Sequence, residues 1–365
     1  MKLLIQPGDG ITALVRGIEK ARKSVEVVIF RFDRTELERA MVNAAKRGVF
    51  VHALIAYTNR GGEKILRKLE MRFLSHGITV ARTADDLVRY HGKMMIVDRK
   101  ELYLLSFNLT HLDIEHSRSF GVVTRNRQLV QEAGKLFDSD TRRQSYESGC
   151  PNFLVSPVNA RKQLTAFIRG AKQELLIYDL KISDRTMIRL LEERAKAGVR
   201  VRVIGKLTRK NSKVEVKKLQ GIRLHARVII RDRKHAFMGS QSLRELELDG
   251  RREIGILFRD PKVISKMADV FDQDWKKGAV ATLAAADTTT AAPAKAAKHV
   301  ARSIAKKIPP VAPIMEQALA EAGKGNADAD LDFKKVELTV KEAVKDAVKE
   351  AVQGIVEDAV EESRA

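Results

Sequence analysis

The sequence predicts a mixed α/β protein made of two copies of one unit, followed by a helical tail. Three observations predict it: a histidine-led octapeptide that occurs twice, a second matched block ahead of each copy, and strand-length apolar runs alternating with helical periodicity. HGKMMIVD begins at His91 and HARVIIRD begins at His225, 134 residues later. The same spacing pairs Asp98 with Asp232, Ser106 with Ser240, Asn108 with Ser242, Arg118 with Arg252, Gly121 with Gly255, Phe137 with Phe271 and Asp140 with Asp274. One ungapped register over such a length identifies an internal duplication.

Upstream, KSVEVVIF matches QELLIYDL, and AAKRGVFVHALI matches RAKAGVRVRVIG, with Gly48 and Gly198 150 residues apart. The first copy therefore holds 16 more residues between this strand and its histidine motif. Each copy reads as helix, strand, helix, strand and then the histidine motif. VEVVIF and FVHALI are apolar runs of the kind found in buried parallel strands. TELERAMVNAAKRG between them has helical spacing and stops at Gly48. Strands alternating with helices argue for an α/β sandwich around a parallel or mixed sheet.

These patterns divide the chain into a first repeat (1–145), a second repeat (151–278), an Ala/Pro-rich linker (279–333) and an amphipathic helix (334–363). The helix places valine at 340, 344, 348, 352, 356 and 360. Its net charge of −3 opposes adsorption to anionic lipid, so self-association or docking to a protein partner is the expected role.

The chain has 365 residues and a net charge of +21, unevenly spread. Residues 1–278 carry +23 and residues 279–365 carry −2. A field of that sign attracts polyanions: nucleic acid, anionic lipid or phosphorylated substrates. The single cysteine, Cys150, excludes an internal disulfide framework and a cysteine-based zinc site. The opening MKLLIQPGDG has no signal-peptide core, and no stretch is long and apolar enough to span a bilayer. A soluble, cytoplasmic protein, peripheral at most to a membrane, is the expectation.

Alternate residues of a strand share a face, so His91 and Lys93 are expected to project together, as are His225 and Arg227. Ser106 with Asn108, and Ser240 with Ser242, form a second such pair in each copy. Each half thus offers an imidazole, a cation and two small hydrogen-bonding groups, and a pseudo-twofold arrangement would bring both sets to one cleft. That set suits phosphoryl chemistry. One imidazole can attack phosphorus while the other protonates the leaving oxygen, and fixed cations stabilise the charge that develops.

At these residues the sequence resembles the phospholipase D superfamily, whose pattern is HxKxxxxD followed by G-S-x-N, present twice per active site. His91, Lys93 and Asp98 match the first pattern; Ser106 and Asn108 match the second, with Leu105 in place of glycine. In the other half His225, Asp232, Gly239 and Ser240 match, with Arg227 for lysine and Ser242 for asparagine. The resemblance covers residues 1–278 and implies a duplicated α-β-α sandwich with pseudo-twofold symmetry. It also implies a two-step reaction through a phosphohistidine, with neither metal nor cofactor.

By that analogy His91 is the nucleophile and His225 the general acid, with pseudosymmetry leaving the reverse open; Lys93 and Arg227 clamp the phosphate, and Asp98 and Asp232 orient. Ser106, Asn108, Ser240 and Ser242 are the expected substrate-binding set. The family often places an acid about 28 residues after the histidine, where it orients the ring. Glu253 stands there relative to His225, whereas Ser119 takes the place in the first half.

His111 and His116, with Asp113 and Glu115 between them, read as a rim loop rather than a metal site. The leading expectation is a phospholipase or phosphatidyltransferase similar to cardiolipin synthase. The alternatives are a metal-independent nuclease, against which the sparse aromatics speak, and a non-catalytic phosphate-binding module with a degenerate second motif.

Overall fold

The computed structural model describes residues 1–57, 63–208 and 213–280. The chain divides into two compact units, Met1–Thr282 and Leu283–Ala365. Apart from its first two residues, the predicted linker, and the whole predicted helix of 334–363 with its self-association role, lie outside the described residues. Ala279–Val280, assigned to the linker by composition, instead pairs antiparallel with Glu215–Lys218 and extends a sheet.

Both repeats fold into the same mixed sheet. In the first the strand order is Lys2–Gln6, Ser117–Thr124, Glu101–Leu105, Met94–Val97, Ser24–Ile29, Phe50–Ile55, Thr79–Arg82. In the second it is Phe153–Val155, Ile254–Phe258, His235–Gly239, Val228–Arg231, Glu174–Ile182, Arg200–Leu207, Glu215–Lys218. The apolar runs singled out in sequence form the parallel pairs Ser24–Ile29 with Phe50–Ile55 and Glu174–Ile182 with Arg200–Leu207. The helices Thr35–Lys46 and Arg185–Lys196 cross over between them. Each helix is followed by a glycine with positive φ, Gly48 at 82° and Gly198 at 89°, a conformation that lets the chain turn at once into the next strand.

Strand alternation decides which core each side chain joins. Met94 and Ile96 enter a central core that also holds Leu176, Tyr178, Val228 and Ile230 of the second repeat. Met95 and Val97 enter the outer core of the first repeat. The helices Arg127–Arg142 and Pro261–Lys277 supply Leu136, Phe137, Phe271 and Trp275 to the central core. The described residues thus form two α/β sheets, each with helices on its outer face, sharing a central helical layer. The 16-residue surplus of the first repeat corresponds to the helix Glu63–Ser75. No helix among the described residues is long and apolar enough to cross a membrane.

Two exchanged contacts join the repeats. Arg89–Tyr90 pairs in parallel with Arg251–Arg252, and Arg223–Leu224 pairs in parallel with Ser117–Arg118. Arg118 reaches Asp274 at 2.7 Å, and Arg252 reaches Asp140 at 3.1 Å. The residues that the 134-residue spacing equates therefore bond across the pseudo-twofold axis, each arginine to the other repeat's aspartate.

Candidate active site

Each histidine follows directly on one of these exchanged strands. The His91 N–H donates to Arg252 O at 2.8 Å, and the His225 N–H donates to Arg118 O at 2.9 Å. Both rings are held where the two repeats meet. His91–Lys93 and His225–Arg227 precede the paired strands, which begin at Met94 and Val228. The expected alternation of strand faces thus starts one residue after each cation, and not at the histidines. Gly92 N–H shares the Arg252 carbonyl at 3.1 Å, and a Cβ on Gly92 would lie 2.4 Å from Ile254 Cδ1. A side chain at this position would force Ile254 to shift.

The site is deeply enclosed: His91 is 6 % exposed, Lys93 2 %, His225 5 % and Arg227 6 %. The cation of each repeat acts on the histidine of the other. Burial, then Lys93 and Arg227, depress the His91 imidazole well below its ordinary value. Burial also depresses His225, with Arg227, Arg223 and Lys93 adding to the effect and Asp113 opposing it. Burial pushes the Lys93 ammonium down to about 7 against the attraction of Glu253. Its Nζ donates to His91 O at 2.7 Å and lies 5.4 Å from the centroid of the Phe30 ring. Phe30 also packs edge-on against His91 at 4.6 Å, fixing the plane of the imidazole. Arg227 Nε and Nη1 and the Ser242 hydroxyl are buried without a hydrogen-bond partner among the described residues. Buried donors of this kind are costly unless they serve a ligand.

The acids pair across the axis, which corrects the assignment of Glu253. Its carboxylate meets Nδ1 of His91, at 2.9 and 3.1 Å, rather than the His225 ring. His225 has Asp113 instead, with Oδ2 3.2 Å from Nδ1 but out of line for a hydrogen bond. Burial works to raise the Asp113 carboxyl, yet His225, Arg223 at 2.7 Å and the Asn108 N–H together hold it at about 2. Burial dominates at Glu253 and raises it, with Lys93 and Arg251 opposing. Asp113, placed by sequence in a rim loop, is thus a site residue. The spacing of 134 pairs it with Glu247, and both accept a backbone N–H from the small motif, Asn108 N at 2.7 Å and Ser242 N at 2.7 Å.

Other expected site residues lie elsewhere. Asp98 and Asp232 sit beyond the far ends of Met94–Val97 and Val228–Arg231 from the histidines. Asp98 accepts N–H groups of Arg22, Lys23 and Ser24 at 3.0, 2.6 and 3.0 Å. Asp232 does the same for Lys172, Gln173 and Glu174. Both have φ near +50°, at 52° and 51°. They orient backbone, not imidazole. Ser106 and Ser240 accept the N–H of Phe120 and Ile254, each at 3.0 Å, and so latch neighbouring strands. Asn108 donates Nδ2 to Asp113 at 2.8 Å. Leu105 joins the outer core and packs over Gly121, so this departure from the family pattern does not enter the site.

The family model described as "Cardiolipin synthase, PLD-like domain" matches residues 14–141 and 164–275, one match per repeat. The chain belongs to the phospholipase D superfamily. Among curated proteins, mitochondrial cardiolipin hydrolase of Danio rerio is 31 % identical over 134 residues, 34 % of this chain and 56 % of that protein. The chain thus spans about half the length of the curated relatives it matches. Solved structures share the superfamily fold across both repeats. Phosphatidylserine synthase of Haemophilus influenzae superposes with a TM-score of 0.58 at 10 % identity, covering 76 % of this chain and 87 % of that one. Polyphosphate kinase of Porphyromonas gingivalis gives 0.64 at 18 % identity, covering 75 % of this chain and 50 % of that one.

Proposed function

We propose that the protein is a phosphodiesterase or phosphatidyltransferase that cleaves phospholipid through a phosphohistidine on His91, reaching its substrate peripherally at a membrane surface. The observation that carries this reading is the convergence of both histidines on one pair of cations, Lys93 and Arg227. Glu253 engages His91 Nδ1, which leaves Nε2 as the nucleophile. His91 lies among cations that keep it unprotonated, as an attacking nitrogen requires. Burial depresses His225 too, but the ionised Asp113 carboxylate beside it works in the opposite sense, the direction a general acid requires and one that His91 has no equal of among its leading influences.

In the first step a P–N bond forms to His91 while the P–O bond to the leaving alcohol breaks, and His225 gives that oxygen its proton. In the second step water or an alcohol attacks phosphorus, His225 takes its proton, and the P–N bond breaks. Lys93 and Arg227 hold the non-bridging oxygens throughout, with the guanidinium adding bidentate geometry. The phospholipid assignment draws on the cardiolipin and phosphatidylserine chemistry named for the relatives. A second reading, cleavage of nucleic acid, draws on the +23 charge of residues 1–278.

Purified full-length protein in EDTA, offered phosphatidylglycerol, phosphatidylcholine and plasmid DNA, separates these readings. Turnover of lipid, lost in His91→Ala, is the expected result. Cleavage of DNA alone selects the nuclease reading, and turnover of none selects a phosphate-binding module.

A further inference from the structure

Outside the catalytic cleft, one grouping of metal-ligating side chains stands out among the described residues: His111, Glu115 and His116, whose ligand atoms all lie within 4.8 Å of one another. His111 and Glu115 are one turn apart on the short helix His111–Glu115, with Nε2 to Oε2 at 3.0 Å, and the His111 and His116 ring centroids are 5.0 Å apart. All three are exposed. Ligands held at about 2.0–2.2 Å around a tetrahedral zinc ion are roughly 3.4 Å from each other. One edge of such a site is therefore already in place, and a rotation of the exposed His116 side chain would complete a face.

The carboxylate is arranged for this use. Its Oε1 is taken by Arg34 Nη1, while Oε2 is the oxygen turned to His111. Arg34 is itself held by Glu36 at 2.8 Å, and its side chain is only 10 % exposed. Metal-binding carboxylates are commonly oriented in this way by an outer hydrogen bond that leaves the other oxygen for the ion. The surface histidine cluster of the sequence thus acquires a purpose that a rim loop does not explain.

We infer that His111, Glu115 and His116 form a binding site for one divalent transition-metal ion, with zinc the natural occupant and water completing its coordination. The ion is not a participant in the phosphoryl chemistry. It sits on the helix whose middle residue, Asp113, is 2 % exposed and faces His225. Two of the three ligands flank Asp113 at two residues' distance, so an occupied site clamps the turn that presents this carboxylate.

Calorimetric titration of metal-free full-length protein with ZnCl2 tests the assignment directly, whatever the enzyme's substrate proves to be. Wild type is expected to bind one equivalent. His111→Ala, Glu115→Gln and His116→Ala should each weaken that binding about tenfold or more, and the two histidine variants should leave the melting temperature of the metal-free protein unchanged. Co2+ in place of zinc should give a visible absorption band that the triple variant lacks. A wild type that binds no zinc below about 100 μM overturns the proposal. So does a triple variant that keeps the wild-type affinity and stoichiometry, which would put the ion elsewhere, for instance between His91 and His225.

Discussion

The two repeats share one strand order and one set of strand-end turns, yet they build different halves of the site. In the first, His91 stands against Phe30 and Lys93 and takes its acid from the second repeat. In the second, Leu180 occupies the place of Phe30 by the 150-residue spacing, and the cation is Arg227. Buried acids surround that arginine. Arg227 helps keep Glu247 ionised against its burial, whereas burial pushes Asp179 up to about 6 despite the same cation. Duplication set the frame, and divergence of a few side chains gave the histidines unlike electrostatic surroundings. A symmetric pair would have no reason to divide attack from protonation; the unlike neighbours of these two are what motivate the proposed division.

The sharpest way to break the comparison is to remove each histidine and vary the leaving group. His91→Ala should lose turnover with every phosphodiester. His225→Ala should lose about 10²–10⁴-fold with a poor alkoxide leaving group and recover most of it with a nitrophenolate, which needs no proton. Equal sensitivity of the two variants in steady-state rates would dissolve the assigned roles.

The acids sharpen the same contrast. Asp113→Asn leaves the imidazolium of His225 without its counter-charge, a loss on the order of 3–5 kcal/mol where such a buried pair is broken. The damage should grow as the leaving group worsens. Glu253→Gln should slow the reaction by a factor that does not depend on the leaving group. The slope of log rate against leaving-group pKa, measured for both variants, decides between these outcomes.

A third contrast is between the cations. The free-enzyme ammonium of Lys93 lies at about 7, so its charge is present below that pH and is lost as pH rises through it. The profile of kcat/KM should therefore fall on the alkaline side of about pH 7. Lys93→Arg, which keeps its charge at any accessible pH, should retain activity there, and a profile unchanged by this substitution would show that Lys93 does not set the limb. The smallest effect on chemistry belongs to Asp98 and Asp232. Asp98→Ala should lower unfolding free energy by about 1–3 kcal/mol for backbone donors left unpaired, measured by urea denaturation, with kcat retained.

Much of this was legible in the residues themselves. The 134-residue spacing announced the duplication, the two histidines and both cations, because a repeated motif needs no knowledge of the fold. Period and composition located the parallel strands, since a buried strand must be apolar along its whole length. What the spacing could not convey is direction across the axis. Arg118 and Arg252 were matched as equivalents, but only the fold shows that each bonds the aspartate of the opposite repeat. For the same reason Glu253, 28 residues after His225, pairs with His91.

The sequence alone determined that the chain is duplicated, that its fold is α/β and which two imidazoles and two cations are the candidates for its reactive set. These follow from local pattern, which linear order preserves. The tertiary structure decided that Glu253 serves His91, that Asp113 serves His225, and that Asp98, Asp232, Ser106 and Ser240 hold backbone. The two acid–histidine pairings are matters of which buried polar group finds which partner across the interface between the repeats, and contacts more than a hundred positions apart leave no trace in spacing; the backbone contacts lie within one repeat and depend on how its strand ends and neighbouring strands meet.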